Sequence, residues 1–294
     1  MFSQFFGHYL LNNRLITSGQ LNDALEKKSD TRVKLGVLAI NAGYMTAGQV
    51  EQVHAQQMKM DKRIGDIAVE MGFLTEEKVT ELLQSQKSAH LLLGQALVDS
   101  GAMTTAGFES ALLNYKAEFQ LEDGDFADET AEKTRKVIGG FLGLGDGQDF
   151  DFCVDYVSLL FKGLTRFVTD AFTPLAVGQV DNVTCDTAVI QNITGPFAAK
   201  TGLVCGADIL PVLASLYAKE DIAEADEYAW AVVSEFLNLN NGLFAVNMST
   251  ERDTELSLEP QEIGQGVTIA SDKLCLRIPV SFPFGQVDFV LALS

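Results

Sequence analysis

Residues 224–242 read EADEYAWAVVSEFLNLNNG, and the assignment of this stretch decides the fold. Placed on a helix at 100° per residue, Tyr228, Leu239, Val232, Ala225, Phe236, Ala229, Val233, Leu237 and Trp230 sweep out a wide apolar face. The opposite arc carries Asn241, Ser234, Glu227, Asn238, Ala231, Glu224, Gly242 and Glu235. Glu235 and Asn238 are three positions apart, so one stands above the other on that arc. Small residues, Ala231 and Gly242, flank them and leave room for a second protein to approach. Any solvated helix has a polar outer face, and a bare E-x-x-N is common by chance. The surroundings give this one its weight: a strand–strand–helix pattern precedes it and an all-strand tail follows.

The flanking sequence fills in the rest of that domain. Val157, Leu160, Phe161, Leu164, Phe167 and Val168 have helical spacing, and Pro174 stops the helix. Strand-like runs follow near 176–183, 187–193 and 198–205, with Thr194-Gly195-Pro196 as a turn. A helix is predicted from Asp208 to Tyr217. Beyond Gly242, strands are predicted near 243–249, 255–258, 266–270, 273–282 and 287–292, with a hairpin loop at Pro283-Phe284-Gly285. Residues 152–294 are thus expected to form an α+β domain, an antiparallel sheet covered by about three helices.

This pattern resembles the CheC/CheX family of chemotaxis phosphatases, whose signature is E-x-x-N on a helix with Gly seven residues after the Glu. Glu235, Asn238 and Gly242 match it, and the resemblance covers residues 152–294. It implies hydrolysis of the aspartyl phosphate on a response-regulator receiver domain (CheY-like). Asn238 would hold the attacking water and donate to a phosphoryl oxygen; Glu235 would pair with the receiver's lysine. Mg²⁺ would be bound by the receiver, so no cofactor is expected in this chain. No second E-x-x-N lies on the first helix of the domain, which matches the single-site CheX-like branch. The family's members can dimerise, so a homodimer is also implied. Asn241, at the edge of the polar arc, reads as a helix-terminal residue ahead of Gly242.

The first 116 residues repeat. Gly7, Gly36, Gly65 and Gly94 are each 29 apart, and so are Thr17, Thr46, Thr75 and Thr104. Two landmarks in phase over four copies predict tandem helix–turn–helix units, an all-α array. Thr17 with Gln20 and Thr46 with Gln49 have the spacing of a reciprocal capping box. Gly43, Gly72 and Gly101 hold the position that ends the first helix of a unit; Arg14 stands there in the first unit.

Residues 63–86, RIGDIAVEMGFLTEEKVTELLQSQ, resemble the N-terminal domain of type II secretion and pilus ATPases (MshE-N-like). Tandem motifs of that family bind cyclic di-GMP in some members. The residues so implied are Arg63, Gly65 and Gln86, with Lys34, Gly36 and Gln57 in the looser second unit. The fourth unit lacks both the Arg and the Gln. A docking or regulatory role for the array is the other expectation.

Between the two halves, residues 117–151 are acidic and glycine-rich and read as a linker with a hinge. Their glycines do not form G-x-G-x-x-G at a strand–helix junction, which excludes a dinucleotide loop. Basic residues number 11 against 12 acidic over 1–116, 3 against 10 over 117–151, and 7 against 18 over 152–294. Such an acidic second half would repel nucleic acid and attract a partner with basic groups around its site. Cys153, Cys185, Cys205 and Cys275 lack C-x-x-C spacing, and His8, His54 and His90 lack ligand spacing, so no metal site is expected. The N-terminus lacks the features of a signal peptide and no apolar run is long enough to cross a bilayer, so a cytoplasmic location without membrane insertion is expected. Beside the phosphatase stand two other functions: a non-catalytic scaffold of the same fold, and a cyclic di-GMP effector sensing through the repeats.

Overall fold

The computed structural model describes residues 1–28, 30–85, 88–126, 130–145 and 148–294. The chain divides into two compact units, Phe2–Lys133 and Thr134–Ser294.

The first unit is helical. Its pairs are α1 (Phe2–Asn12) with α2 (Ser18–Lys27), α3 (Leu35–Asn41) with α4 (Ala47–Gln57), α5 (Ile64–Glu70) with α6 (Glu76–Gln84), and α7 (Ala89–Asp99) with α8 (Thr105–Phe119). Thr17, Thr46, Thr75 and Thr104 cap the second helix of each pair, each accepting a backbone N–H with its side chain. In the first two pairs Gln20 and Gln49 reciprocate, accepting the N–H of Thr17 and Thr46 at 2.8 Å. The turns need left-handed backbone, and Arg14, Gly43, Gly72 and Gly101 supply it at φ 56°, 67°, 74° and 73°.

Of the glycines repeated at the 29-residue period, Gly36, Gly65 and Gly94 serve close packing. A Cβ on Gly36 would lie 2.6 Å from Val50 Cγ1, one on Gly65 3.0 Å from Val79 Cγ1, and one on Gly94 2.2 Å from a ring carbon of Phe108. Each pair of helices approaches at that point because no side chain stands between them.

The second unit opens with α9 (Ala131–Leu142, beginning just inside the first) and α10 (Gln148–Gly163), the latter running on into one π-helical turn at Leu164–Val168. The expected linker over 117–151 is therefore corrected. Val137, Ile138, Phe141 and Leu142 form a buried stripe on α9 that the surrounding acidic residues obscure in the sequence. Two of its glycines are structural: Gly143 ends α9 at φ 62°, and a Cβ on Gly139 would meet Phe150 at 2.7 Å.

Eight antiparallel strands follow: β1 (Thr173–Pro174), β2 (Gly178–Gln179), β3 (Asn182–Thr194), β4 (Ala199–Val204), β5 (Ser257–Leu258), β6 (Glu262–Ala270), β7 (Leu274–Phe282) and β8 (Gly285–Leu293). The order runs β1-β7-β8-β4-β3-β5, with β2 also on β7 and β6 also on β3. Two helices, α11 (Leu210–Ala218) and α12 (Glu227–Arg252), interrupt the strands. The architecture is α+β with a curled antiparallel sheet, as the sequence reading expected.

The 26-residue α12 differs from that reading at both ends. Asp226 is its N-cap, accepting from Ala229 N at 2.9 Å. Gly242 does not end it. The buried stripe of Phe236, Asn240, Phe244 and Met248 continues at helical spacing across the glycine, which costs about 1 kcal/mol in a helix interior. The helix stops only at Asp253, whose φ is 50°. The strand expected at 243–249 is therefore helix.

Candidate functional site

The layer of the sheet that faces α12 alternates apolar residues along β3 and β4. Register pairs Val189 with Leu203 and Ile193 with Ala199, and between them Gln191 with Thr201. Gln191 is 2% exposed and Thr201 fully buried, so a polar pair occupies the place of two core aliphatics. Such groups are stable inside only when hydrogen-bonded, and α12 completes them. Asn241 Nδ2 donates to Gln191 Oε1 and to Thr201 Oγ1, each at 2.8 Å. Tyr156 of α10 donates its hydroxyl to Asn241 Oδ1 at 2.9 Å, and burial pushes its phenol pKa well above the ordinary value.

The chain of amides reaches the surface at Asn238. Gln191 Nε2 donates to Asn238 Oδ1 at 2.8 Å and to the backbone oxygen of Glu259 at 2.9 Å. Asn238 is half-buried; Glu235, one turn earlier, is exposed. The Glu235 carboxylate accepts from Gln261 Nε2 at 2.9 Å. Tyr217 of α11 is raised in pKa by burial and, secondarily, by the negative charge of Glu235. The loop carrying Glu259 and Gln261 thus binds Glu235 directly and reaches Asn238 through Gln191.

Along the edge of the same outer arc of α12 stand Tyr228, which the helical wheel puts on the apolar face but which is 54% exposed, and Val246, 58% exposed, with Ala231 between them and open space over Gly242. The carboxylate and the carboxamide therefore sit in a solvent-facing stripe with apolar ends, which suits a protein partner more than a small ligand in a cleft.

Two residues assigned to the polar arc lie inside. Ser234 is 4% exposed and Asn241 is fully buried. Asn241 is not a helix-terminal residue but the inner link of the network. Gln191, Thr201 and Tyr156 were not singled out by sequence. The signal for the first was present: Val189-x-Gln191-x-Ile193 has a glutamine at a strand position whose neighbours in the alternation are all core.

In the helical unit, Lys34 and Arg63 are exposed N-cap residues of α3 and α5. Lys34 Nζ pairs with Asp99 at 2.6 Å, and Gln57 Nε2 donates to the backbone oxygen of Lys62 at 3.2 Å. Gly36 and Gly65 are buried beneath Val50 and Val79. Gln86 lies outside the described residues. A shallow hollow beside Gly36 is lined by apolar side chains such as Leu35, Val50 and Ile64, and offers no donor to a phosphate. Among the described residues, no group of three or more His, Cys, Asp or Glu is placed to hold a metal ion, and no helix is long and apolar enough to cross a membrane.

No family model matches the chain, and no curated protein matches it. Solved structures do. About half of the chain is similar to CheX- and CheC-like proteins. A chemotaxis protein CheX from Desulfovibrio desulfuricans aligns with 15% identity and a TM-score of 0.42, over 49% of this chain and 99% of that one. A chemotactic CheC-like protein from Shewanella oneidensis aligns with 14% identity and a TM-score of 0.44, over 50% of this chain and 100% of that one. A CheX–CheY–BeF3–Mg²⁺ complex from Borrelia burgdorferi aligns with 14% identity and a TM-score of 0.40, over 49% of this chain and 97% of that one.

Proposed function

We propose that this chain is a phosphatase acting on the aspartyl phosphate of a response-regulator receiver domain, with the helical array as its docking or regulatory module. One observation carries the reading: Glu235 and Asn238 share the solvent-facing arc of α12, and the loop 259–261 together with Gln191 holds both. An acyl phosphate is already activated, so a catalyst needs little more than a water in line with the P–O bond and a donor for the charge on the phosphoryl oxygens. A carboxamide offers both, an oxygen to accept from water and a nitrogen to donate. Water's oxygen forms the new bond to phosphorus; the bond to the aspartyl oxygen breaks, and its electron pair leaves with the carboxylate. Glu235 pairs with a lysine of the receiver and sets the register of docking. The Mg²⁺ that neutralises the phosphoryl group belongs to the receiver.

The excess of acidic residues in the second half would speed encounter with a basic partner surface. The test is the lifetime of phosphorylated receiver domains with and without the purified chain. Shortened lifetimes that depend on Asn238 support the reading. Unchanged lifetimes, even with a stable complex, would mark a scaffold instead.

A further inference from the structure

We infer that Gln191 is the positioning residue that decides which end of the Asn238 carboxamide meets the phosphoryl group. This rests on the reading of Asn238 as the phosphatase amide and adds the device that orients it.

The two ends of an amide side chain are nearly equal in size, so packing alone does not choose between its two flips; hydrogen-bond polarity does. Here the backbone dictates the polarity. The carbonyl oxygen of Glu259 has no hydrogen to give, so the Gln191 atom facing it at 2.9 Å has to be Nε2. That nitrogen's other hydrogen points at Asn238 at 2.8 Å, where only an oxygen can receive it.

The inner end closes the same way. The backbone oxygen of Gln191 takes the hydroxyl hydrogen of Thr201 at 3.0 Å, so Thr201 meets Asn241 as an acceptor. Asn241 therefore turns Nδ2 toward Thr201 and Gln191 Oε1 and leaves its oxygen for Tyr156. Two backbone carbonyls thus fix three amides. Flipping Gln191 would set its oxygen against the Glu259 oxygen and its nitrogen against the Asn241 nitrogen.

The consequence falls on Asn238. Its oxygen faces inward with one lone pair engaged, leaving one for water. Among the described residues its Nδ2 makes no hydrogen bond, so both N–H groups remain for a phosphoryl oxygen. The opposite flip would present an acceptor to a negative oxygen, which repels. Gln191 is 2% exposed and touches no partner; it acts only through Asn238.

Side-chain amide hydrogen exchange by NMR on the full chain, with resonances assigned through Asn238→Asp and Gln191→Glu, reads the orientation directly. Both Gln191 Nε2 hydrogens are expected to be protected and both Asn238 Nδ2 hydrogens to exchange at near-free rates. The reverse pattern overturns the inference, whatever an assay shows. In kinetics, Gln191→Glu offers only acceptors and turns Asn238 over. The expected result is a fall in kcat of about tenfold or more with KM for the phospho-receiver little changed. A folded Gln191→Glu variant with wild-type kcat also overturns it. If the wild-type chain hydrolyses no phospho-receiver, the function reading falls while the exchange pattern still decides the orientation.

Discussion

Gln191 and Thr201 sit directly opposite each other in the β3–β4 register, in a layer whose neighbouring pairs are Val189–Leu203 and Ile193–Ala199. Both are buried, and the side-chain oxygens of both accept from one residue of α12, Asn241. Thr201→Val keeps the shape and removes the hydroxyl. It strips Asn241 of one acceptor and the Gln191 carbonyl of its donor. The second unit should lose about 1–3 kcal/mol, seen as a lower urea midpoint with an unchanged slope.

Gly242 lies mid-helix with nothing within 4 Å of where a Cβ would be. Gly242→Ala should therefore stabilise α12 by up to about 1 kcal/mol. The added methyl stands on the arc of Glu235 and Asn238, so KM for a phospho-receiver should rise in the same variant. Thermal melting and steady-state kinetics on one preparation check both halves; an unchanged KM would move the docking surface elsewhere.

Gly94 has the opposite environment. A Cβ there would lie 2.2 Å from the Phe108 ring. Gly94→Ala should destabilise the helical unit by about 1–3 kcal/mol, because the α7–α8 pair has to separate. The loss should appear in denaturant unfolding of that unit and leave the second unit's transition in place.

His90 gives the helical unit a pH dependence. Burial, with help from the positive charge of Lys116, pushes its imidazole pKa down to about 3. Its Nδ1 lies 3.1 Å from Ser3 Oγ and its ring centroid 4.0 Å from that of Phe126. Below the ordinary histidine pKa the unfolded chain takes up a proton that the fold refuses. The contribution is whole above about pH 6.5 and falls as pH drops toward 3. Between pH 7 and pH 5 the unit should lose about 2 kcal/mol from this group. His90→Gln should remove that part of the slope, as read from urea midpoints at the two pH values.

The sequence carried the local chemistry well and the distant partners poorly. Threonine N-caps and left-handed glycines are decided within a few residues, and Thr17, Thr46, Gly43 and Gly72 appear in the roles their spacing suggests. Glu235 is exposed, as its position on the helical wheel implied. Asn241 and Ser234 fall on the polar arc of the helical wheel, yet both are buried, and Asn241 is inside because Gln191 and Thr201 wait for it across the sheet. Gly242 looked like a helix end because the cost of one glycine is easily outweighed by packing at Phe244 and Met248 that no local pattern announces. The apolar stripe of α9 was hidden by its acidic setting.

On the proposed function Asn238 performs the chemistry and Glu235 the docking. The direct measurement is the decay of a phosphorylated receiver domain in the presence of wild-type, Asn238→Ala and Glu235→Lys chains, with receiver binding measured in parallel. Wild type should shorten the lifetime, Asn238→Ala should restore the unassisted decay while still binding, and Glu235→Lys should bind weakly. Full activity in Asn238→Ala against every receiver that the wild type dephosphorylates would contradict the account.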